Sequence, residues 1–244
     1  MRAVLTYHSI DPSDSPVSVS PDEFERQMTW LVEDGPPVVS VGELLAMGPE
    51  ADAIALSFDD AFENFRTVAL PVLRDLDLPI TLGVVTEHVG TTNRWGGRDQ
   101  AGIPTLPLMD WDGLAEALDS KVVEIANHTR THPHLPTLDR DALHDEVEGA
   151  RDELRARLGV ETETFVYPYG ELSETVVQVV SGGYSRALTT RLDAVPSRLD
   201  PLRVPRVDMF YFRRPGQLQT WGTPRFRMRL GARRLLRSLR ARLG

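Results

Sequence analysis

The stretch AIALSFDDAF, residues 53–62, decides the fold, because a run of apolar and β-forming residues ends there in two adjacent carboxylic acids. Residues 53–58 have the composition of a strand buried in a sheet. Side chains alternate between the two faces of a strand, so Asp59 and Asp60 would point apart if the strand continued. We therefore expect the chain to turn after Phe58 and to bring both acids to one opening.

Six further blocks of β-forming residues lie along the chain, separated mostly by segments of helix length. They occupy residues 3–7, 37–41, 80–85, 122–127, 164–168 and 185–190. This alternation is typical of a parallel sheet covered by helices. About seven strands in one chain of 244 residues predict a single (β/α) barrel, closed or incomplete. An open doubly wound sheet is the alternative, but the dinucleotide fingerprint G-x-G-x-x-G follows none of the blocks.

The segments between the blocks carry helix start and stop signals. Residues 20–23, Ser-Pro-Asp-Glu, combine a capping box with a proline at the first helical position. Asp110 has the position of an N-cap before WDGLAEAL. The longest helix is predicted from about residue 139 to residue 158, ended by Gly159. A further helix, SETVVQVVSGG, ends at its glycine pair.

The charge distribution separates an acidic body from a basic tail. The net charge is −9, but residues 225–244 hold eight arginines and no acid. Subtracting these eight from the 27 basic residues leaves 19 against 36 acids. Such a body repels nucleic acid, so no nucleic-acid partner is expected. We predict a barrel domain over residues 1–222 and a basic tail over residues 223–244.

Composition also limits the metal chemistry and the location of the protein. The sequence contains no cysteine, so any transition metal must be held by nitrogen and oxygen ligands. No stretch approaches the roughly 18 consecutive apolar residues of a membrane span. The N-terminal MRAVLTYHSI lacks the apolar core and cleavage site of a signal peptide. These features predict a cytoplasmic protein that begins at Met1.

Polar residues follow several of the blocks at the ends where barrel enzymes carry their reactive groups. They occur in YHS, FDD, NHTRTHPH and YPYG. His128 and His132 are four residues apart and share a face if the chain turns helically after the strand. Two imidazoles and one carboxylate make a three-ligand metal site with open positions. Asp59 and Asp60 would then divide the work, one binding metal and the other accepting a proton from water.

Each of these groups also has a purely structural interpretation. The two histidines can be surface or capping residues, since an H-x-x-x-H pair alone is a weak signal. Asp60 can be the N-cap of a helix that begins at AFENF, with Asp59 as a solvated loop residue. The histidine pair and the acid pair at two separate strand ends together favour a metal site.

The motifs LSFDDAF, NHTRTHPHL and FVYPYG, in this order and spacing, resemble those of polysaccharide deacetylases, the NodB-homology or carbohydrate esterase family 4 proteins. The similarity also includes LTYHSI, FERQMTWL, LMDWDGLAE and GGYSRALTT, and so spans roughly residues 1–210. The YHS opening is similar to that of the poly-N-acetylglucosamine deacetylase branch. The resemblance implies an α/β fold with a single deformed (β/α)7 barrel, to which this sequence adds a basic C-terminal helical tail.

The resemblance also implies the roles of the site residues. It implies one divalent metal, usually zinc, bound by Asp60, His128 and His132, with Asp59 as the general base. It places the oxyanion-binding backbone N–H at Tyr169, after the rigid Pro168, which is itself a candidate substrate contact. Asp59 and the metal ligands agree with the interpretation drawn from spacing.

Two departures from the family pattern affect this assignment. The late histidine that supplies the general acid in most members is missing, because no histidine follows residue 144. In the branch that this sequence resembles, the acid histidine lies in the N-terminal YH motif, which makes His8 the candidate here. His88 is the reserve candidate. The alternative for His8 is a purely structural role. The arginine beside the motif proline is absent too, and Arg206, on a later strand, is the candidate for its charge and for a substrate contact. Ala61 replaces the usual glycine after the acids, a mild change.

The resemblance implies hydrolysis of N-acetyl groups on an N-acetylated glycan or a lipid-linked saccharide. Trp95, in the loop of residues 91–110, is a candidate sugar-stacking platform or a simple packing residue. Two other functions stay open. A paired-carboxylate glycoside hydrolase would need no histidines. A carbohydrate-binding barrel that had lost catalysis would release no acetate.

The tail has a separate pattern. Leu235, Leu236, Leu239 and Leu243 recur at helical spacing among arginines. This pattern favours a basic amphipathic helix on anionic lipid, hence a peripheral position at the inner membrane surface, or on an acidic partner. A terminal helix that frays or docks on the acidic body is the alternative.

Overall fold

Seven parallel strands close into a barrel, in a computed structural model that describes the backbone of residues 1–243 and the side chains of residues 1–237 and 239. In barrel order the strands are β1 (Arg2–Tyr7), β4 (Ala53–Phe58), β5 (Ile80–Val84), β6 (Val123–Asn127), β7 (Thr164–Val166), β8 (Arg186–Leu192) and β9 (Val204–Asp208). A small parallel pair, β2 (Ser9–Ile10) and β3 (Ser18–Val19), lies outside the barrel. The predicted (β/α)7 barrel is confirmed.

The strand count is right, but one predicted strand is wrong. Residues 37–41 contribute only a single bridge, between Val38 and Ile54. Val41 begins a helix instead, because Ser40 and Glu43 form a capping box. The seventh strand is β9, which pairs with both β8 and β1 and closes the barrel. A proline and an arginine interrupt its apolar pattern, so the sequence indicates this segment only as an unspecified later strand.

Helices cover the outside of the barrel. They are α1 (Pro21–Glu33), α2 (Val41–Ala46), α3 (Leu70–Asp75), α4 (Trp111–Asp119), α5 (Arg140–His144), α6 (Ala150–Leu158), α7 (Glu174–Ser181) and α8 (Pro224–Leu243). Two π-helical turns, Phe65–Ala69 and Asp145–Gly149, lead into α3 and join α5 to α6. The predicted long helix is therefore present with a π turn inside it. It ends at Gly159, whose φ of 68° is the left-handed C-cap conformation.

Both predicted N-caps are present, but only the Ser20 half of the predicted capping box is formed, because the Glu23 carboxylate accepts from Arg26 and Gln27. Ser20 accepts a hydrogen bond from the Glu23 N–H, and Asp110 accepts one from the Gly113 N–H. Apolar side chains fill the space between strands and helices, including Leu5, Phe58 and Phe65, which are fully or almost fully buried. Burial of this kind supplies most of the favourable free energy of folding.

The start of the tail packs on the barrel. In α8 the side chains of Phe226 and Leu230 are buried, and Phe226 stacks on Phe212 with ring centroids 4.7 Å apart. The other side of α8 exposes Met228, Leu235, Leu236 and Leu239. The side chain of Leu243 lies outside the described residues. The division into residues 1–222 and 223–244 stays a prediction. Within the described residues, no helix combines the length and apolar character needed to span a membrane.

Candidate active site

Groups from several strand ends line one cavity of about 130 Å³ at the mouth of the barrel. Its walls include His8 after β1, Asp59 and Asp60 after β4, His128 and His132 after β6, and Tyr169 after β7. This is the edge at which a parallel barrel carries reactive side chains. The convergence predicted from the sequence is therefore present for all six residues.

Three of these residues form a group that can hold a divalent metal. The Oδ1 atom of Asp60 lies 3.5 Å from Nε2 of His128 and 3.7 Å from Nε2 of His132. One ligand atom from each residue lies within 4.8 Å of the others. Asp60 Oδ1 is buried and has no hydrogen-bond partner among the described residues. An orphaned carboxylate oxygen facing two imidazole nitrogens fits a cation with open coordination positions.

A backbone contact orients the His128 ring for metal binding. Its Nδ1 lies 2.8 Å from the carbonyl oxygen of Val166. A carbonyl can only accept, so this contact places the proton on Nδ1 and leaves the Nε2 lone pair facing Asp60 in the neutral ring. Burial together with the neighbouring His128 lowers the pKa of His132 to about 3, which keeps that imidazole neutral. Burial disfavours protonation of His128, but the facing Asp60 carboxylate outweighs it and raises the pKa of that ring. His128 therefore offers its lone pair in the neutral form, which a bound cation would favour.

The two histidines converge by a different route from the predicted one. The chain does not turn helically after β6, and residues 128–134 form an irregular loop. Thr129 and His132 adopt positive φ values of 70° and 59°. The carboxylate of Glu146 fixes the loop, since one oxygen accepts hydrogen bonds from the N–H groups of Arg130 and Thr131, each at 2.9 Å. Glu146 was not identified from the sequence.

Backbone strain is concentrated at this mouth. Among residues 1–243, seven non-glycine residues have positive φ, and five of them are Asp60, Ala61, Thr129, His132 and Tyr169. Such conformations cost on the order of 1 kcal/mol or more each and persist where surrounding structure imposes them. The chain does turn at Asp59-Asp60, as expected. Asp60 faces the histidines and does not act as the alternative helix cap.

Asp59 is held by a buried arginine. Nη1 and Nη2 of Arg206 donate to Oδ1 and Oδ2 of Asp59 at 2.6 and 2.7 Å. Burial raises the pKa of Asp59, but the guanidinium of Arg206 outweighs this and holds the pKa well below its usual range. Asp59 is therefore ionised and fixed in one orientation.

Arg206 is itself fixed from three other strands. Its Nε donates to the Thr189 carbonyl at 2.9 Å, and Nη1 donates to the hydroxyls of Thr6 at 2.6 Å and Ser57 at 3.3 Å. Arg206 is 1% exposed and is not part of the cavity wall. Arg206 contacts Asp59, the part suggested for it from the sequence, but it lies behind Asp59, so the expected substrate contact is wrong.

The two candidate acid histidines occupy different places. Nε2 of His8 lies 3.7 Å from Oδ2 of Asp59, and its ring lines the cavity. His88 is not part of the cavity wall; its Nδ1 lies 3.2 Å from the Thr92 carbonyl oxygen, and its ring meets Trp95 edge-on. The geometry favours His8. Asp208, missed in the sequence, lies in the electrostatic field of His8, and burial raises its pKa.

Aromatic rings form one wall of the metal group. Trp95 is 9% exposed and stacks on His132, with ring centroids 4.6 Å apart and an interplanar angle of 23°. Tyr169 meets His132 edge-on at 4.6 Å. One face of the Trp95 ring is thus covered by a proposed ligand. Trp95 is therefore a packing residue more than an open stacking platform, although it also lines the cavity.

The YPYG turn packs tightly on β8. Tyr169 has a φ of 57°, and its carbonyl oxygen accepts a hydrogen bond from the Thr190 hydroxyl at 3.0 Å. Gly170 has a φ of 71°, and a β-carbon there would lie 2.0 Å from the Thr190 hydroxyl oxygen. This close approach requires glycine. Pro168 is buried and is not part of the cavity wall, so it shapes the turn, and its predicted substrate contact is wrong.

The chain is similar in sequence to known polysaccharide deacetylases. A family model described as polysaccharide deacetylase matches residues 46–183. The poly-β-1,6-N-acetyl-D-glucosamine N-deacetylase of Staphylococcus epidermidis is 21% identical over 203 residues, covering 78% of this chain and 67% of that protein. The protein of the same name from Escherichia coli K12 is 24% identical over 238 residues, covering 79% of this chain and 35% of that protein.

Solved structures show the same fold. A Streptococcus pyogenes deacetylase, PplD, in complex with acetate has a TM-score of 0.71 and 23% identity, covering 84% of this chain and 91% of that one. IcaB from Ammonifex degensii has a TM-score of 0.68 and 24% identity, covering 84% and 90%. The family match contains Asp59, Asp60, His128, His132 and Tyr169 but excludes His8 and Arg206. The positions of those two residues rest on the geometry described above.

Proposed function

The chain belongs to the polysaccharide deacetylase family, and on this premise we propose that the cavity at its barrel mouth hydrolyses the N-acetyl group of an N-acetylated saccharide. One observation carries the proposal: a metal-binding group of Asp60, His128 and His132 lies beside an ionised carboxylate, Asp59, fixed by Arg206. We further propose zinc as the metal, since the donors are two imidazoles and one carboxylate. When bound, such an ion acts as a Lewis acid that activates water for attack at neutral pH.

Asp59 is the proposed general base. It takes a proton from the water that adds to the acetamide carbonyl carbon. Its ionised state is maintained by Arg206, which occupies both carboxylate oxygens and so fixes their direction. Arg206 is a positioning residue, because it acts through Asp59 and is buried away from the cavity.

His8 is the proposed general acid, and the Tyr169 N–H the proposed oxyanion donor. After water adds, the negative oxygen needs a hydrogen-bond donor, and the positive φ of Tyr169 turns the backbone sharply at the mouth. The carbon–nitrogen bond breaks once His8 delivers a proton to the nitrogen, because an unprotonated amine is a poor leaving group. The products are acetate and a saccharide with a free amine.

The substrate class follows from the relatives. Both named curated relatives are poly-β-1,6-N-acetyl-D-glucosamine N-deacetylases. We extend this to an N-acetylglucosamine-containing glycan for this chain. A lipid-linked saccharide that carries the same acetamide is a second candidate.

Metal content measured together with acetate release tests the function. We expect about one divalent metal per chain and acetate release from N-acetylated β-1,6-linked glucosamine oligosaccharides, lost on chelation and restored by zinc. A glycoside hydrolase would cleave glycosidic bonds and create new reducing ends without releasing acetate. A binding barrel without catalysis would retain the oligosaccharide unchanged. Either result would contradict the proposal.

The tail supports a separate proposal, contact with an anionic membrane surface on the cytoplasmic side. Met228, Leu236 and Leu239 are exposed on α8, while Phe226 and Leu230 are buried against the barrel. Arginines surround this apolar stripe, a combination that favours anionic lipid. Flotation with phosphatidylserine vesicles should carry the intact chain and not the variant Met228→Ser/Leu239→Ser. Equal flotation of both would refute the contact.

A further inference from the structure

A second cavity adjoins the candidate active site and is lined by arginines. It has a volume of about 450 Å³, and its walls include Arg191, Arg203, Arg234 and Arg237. No carboxylate is part of this wall among the described residues. From this arrangement we propose that the cavity binds an anionic group, phosphate or carboxylate, carried by the saccharide substrate. The proposal rests on the deacetylase function and specifies its substrate class.

The arginines come from two sides of the cavity. Arg191 belongs to β8 of the barrel, whereas Arg234 and Arg237 belong to α8. Like charges on facing walls repel one another unless an anion lies between them. Arg234 and Arg237 come from the basic tail, but Arg191 and Arg203 belong to the acidic body, so composition does not account for their place in this wall.

Two of the four arginines form salt bridges and two do not, although the charge of Arg237 acts on the buried carboxyl of Asp208, whose pKa it lowers against the effect of burial. Arg203 pairs with Glu174 at 2.7 Å, and Arg234 pairs with Asp193 at 2.5 Å. In the part of the chain that the structure describes, Arg191 and Arg237 form no salt bridge. Their guanidinium groups keep free donors, and a guanidinium fork matches the oxygens of phosphate and carboxylate.

The position of the cavity connects it to the reaction. Thr190 lines both cavities, and its hydroxyl donates to the carbonyl of Tyr169 at 3.0 Å. Tyr169 lines the catalytic cavity and Gly170 lines the arginine cavity, so the wall between them is the YPYG turn with Thr190. A saccharide with its acetamide at the metal group can extend across Thr190 and place a charged substituent among the arginines.

This arrangement also gives the tail a function other than membrane contact. Arg234 and Arg237 lie on the same side of α8 as the buried Leu230, at helical spacing from it. The ion pair between Arg234 and Asp193 fixes this side of α8 on the barrel. The tail therefore completes the substrate cavity, and docking on the body is part of its role.

Acetate release from three matched oligosaccharides tests the proposal. The three are a neutral N-acetylglucosamine oligosaccharide, the same chain with a terminal phosphate, and the same chain with a carboxylate. We expect kcat/KM for at least one anionic form to exceed the neutral value by about tenfold or more, as one or two charge-assisted hydrogen bonds allow. The form that gains identifies the anion. In Arg191→Ala/Arg237→Ala the ratio should fall to about one.

The control variant is Arg225→Ala/Arg227→Ala, which also removes two positive charges but from residues that do not line the cavity. This variant should keep the preference for the anionic saccharide. Preference lost equally in both variants would show general charge attraction and overturn the site. Equal rates for all three substrates in the wild type would overturn it as well.

A binding measurement separates this proposal from the deacetylase function. Inorganic pyrophosphate, titrated calorimetrically into metal-free protein at fixed ionic strength, should bind the wild type and the control variant but not Arg191→Ala/Arg237→Ala. Binding with this pattern, but no acetate from any saccharide, would support the anion site and overturn the proposed function. Acetate release without pyrophosphate binding to the wild type would support the proposed function and overturn the anion site.

Discussion

Two buried arginines, at opposite ends of the barrel, use their donors differently. Arg2, 6% exposed, donates only to backbone carbonyls, of Leu44 at 3.1 Å, Met47 at 2.6 Å and Pro196 at 3.2 Å. Arg206 donates to the carboxylate of Asp59 at the mouth. The first closes the base of the barrel by satisfying loop carbonyls, and the second orients a reactive group. The base of the barrel is thus the end that serves stability, and the mouth is the end that carries the reactive groups, as is general for such barrels.

The largest effect should come from the metal group at the chemical end. In His128→Ala one of three protein ligands is lost, so bound metal and acetate release should both fall to background. Metal analysis by mass spectrometry and an acetate assay measure the two together. The matched control is His144→Ala, since His144 is exposed at the end of α5 and is part of neither the metal group nor the cavity wall. Full metal occupancy in His128→Ala would contradict the assignment of His128 as a metal ligand.

The next effect separates binding of metal from proton transfer. Asp59→Asn keeps the shape of the side chain but cannot accept the proton, so kcat should fall at least about a hundredfold. Metal content should remain that of the wild type, because Asp59 is not one of the three proposed ligands. A variant with wild-type kcat would remove Asp59 from the mechanism.

The two arginines themselves give the most direct test. Arg206→Lys keeps the positive charge but loses the bidentate fork, so we expect kcat to fall about tenfold while KM changes little. Arg2→Lys should leave kcat unchanged and lower the free energy of unfolding by about 1–3 kcal/mol, because loop carbonyls lose their donors. Acetate kinetics and urea unfolding of both variants measure the contrast. The reverse pattern would contradict the division of roles.

The smallest effect concerns stability in acid. Arg206 holds the pKa of Asp59 well below its usual range, so the unfolded chain binds more protons than the folded one as pH falls. The stabilisation from Asp59 is therefore complete above the usual aspartate range and is lost as pH decreases through and below it. Unfolding of metal-free protein between pH 6 and pH 3 should depend less on pH in Asp59→Asn than in the wild type. If the two proteins showed the same pH dependence of unfolding, the ion pair between Asp59 and Arg206 would contribute nothing to the pH dependence of stability.

The sequence was sufficient for the chemical residues at the mouth but not for the elements that orient them. Asp59, Asp60, His128 and His132 could be predicted because strand ends of a parallel barrel meet at one edge. Their loop geometry could not, because the positive φ values of Thr129 and His132 depend on tertiary contacts such as those of Glu146. The partner of Asp59 was named only as a candidate, since Arg206 lies 147 positions away in sequence.

The barrel strands show the same limit. Residues 37–41 have β-forming composition, but a capping box after Val39 gives the segment to α2. Val204–Asp208 contains Pro205 and Arg206, which weaken a strand pattern. Its place in the barrel comes from pairing on both sides, with β8 and β1. Long-range closure of this kind cannot be derived from a local window of residues.

The position of Arg206 on the closing strand has a consequence during synthesis. A nascent chain presents Asp59, Asp60 and both histidines to the cell long before residues 204–208 leave the ribosome. Until that last strand inserts between its two neighbours, Asp59 has no guanidinium to fix its direction. Hydrolytic competence is therefore acquired late in translation, when the first and last strands of the barrel have met.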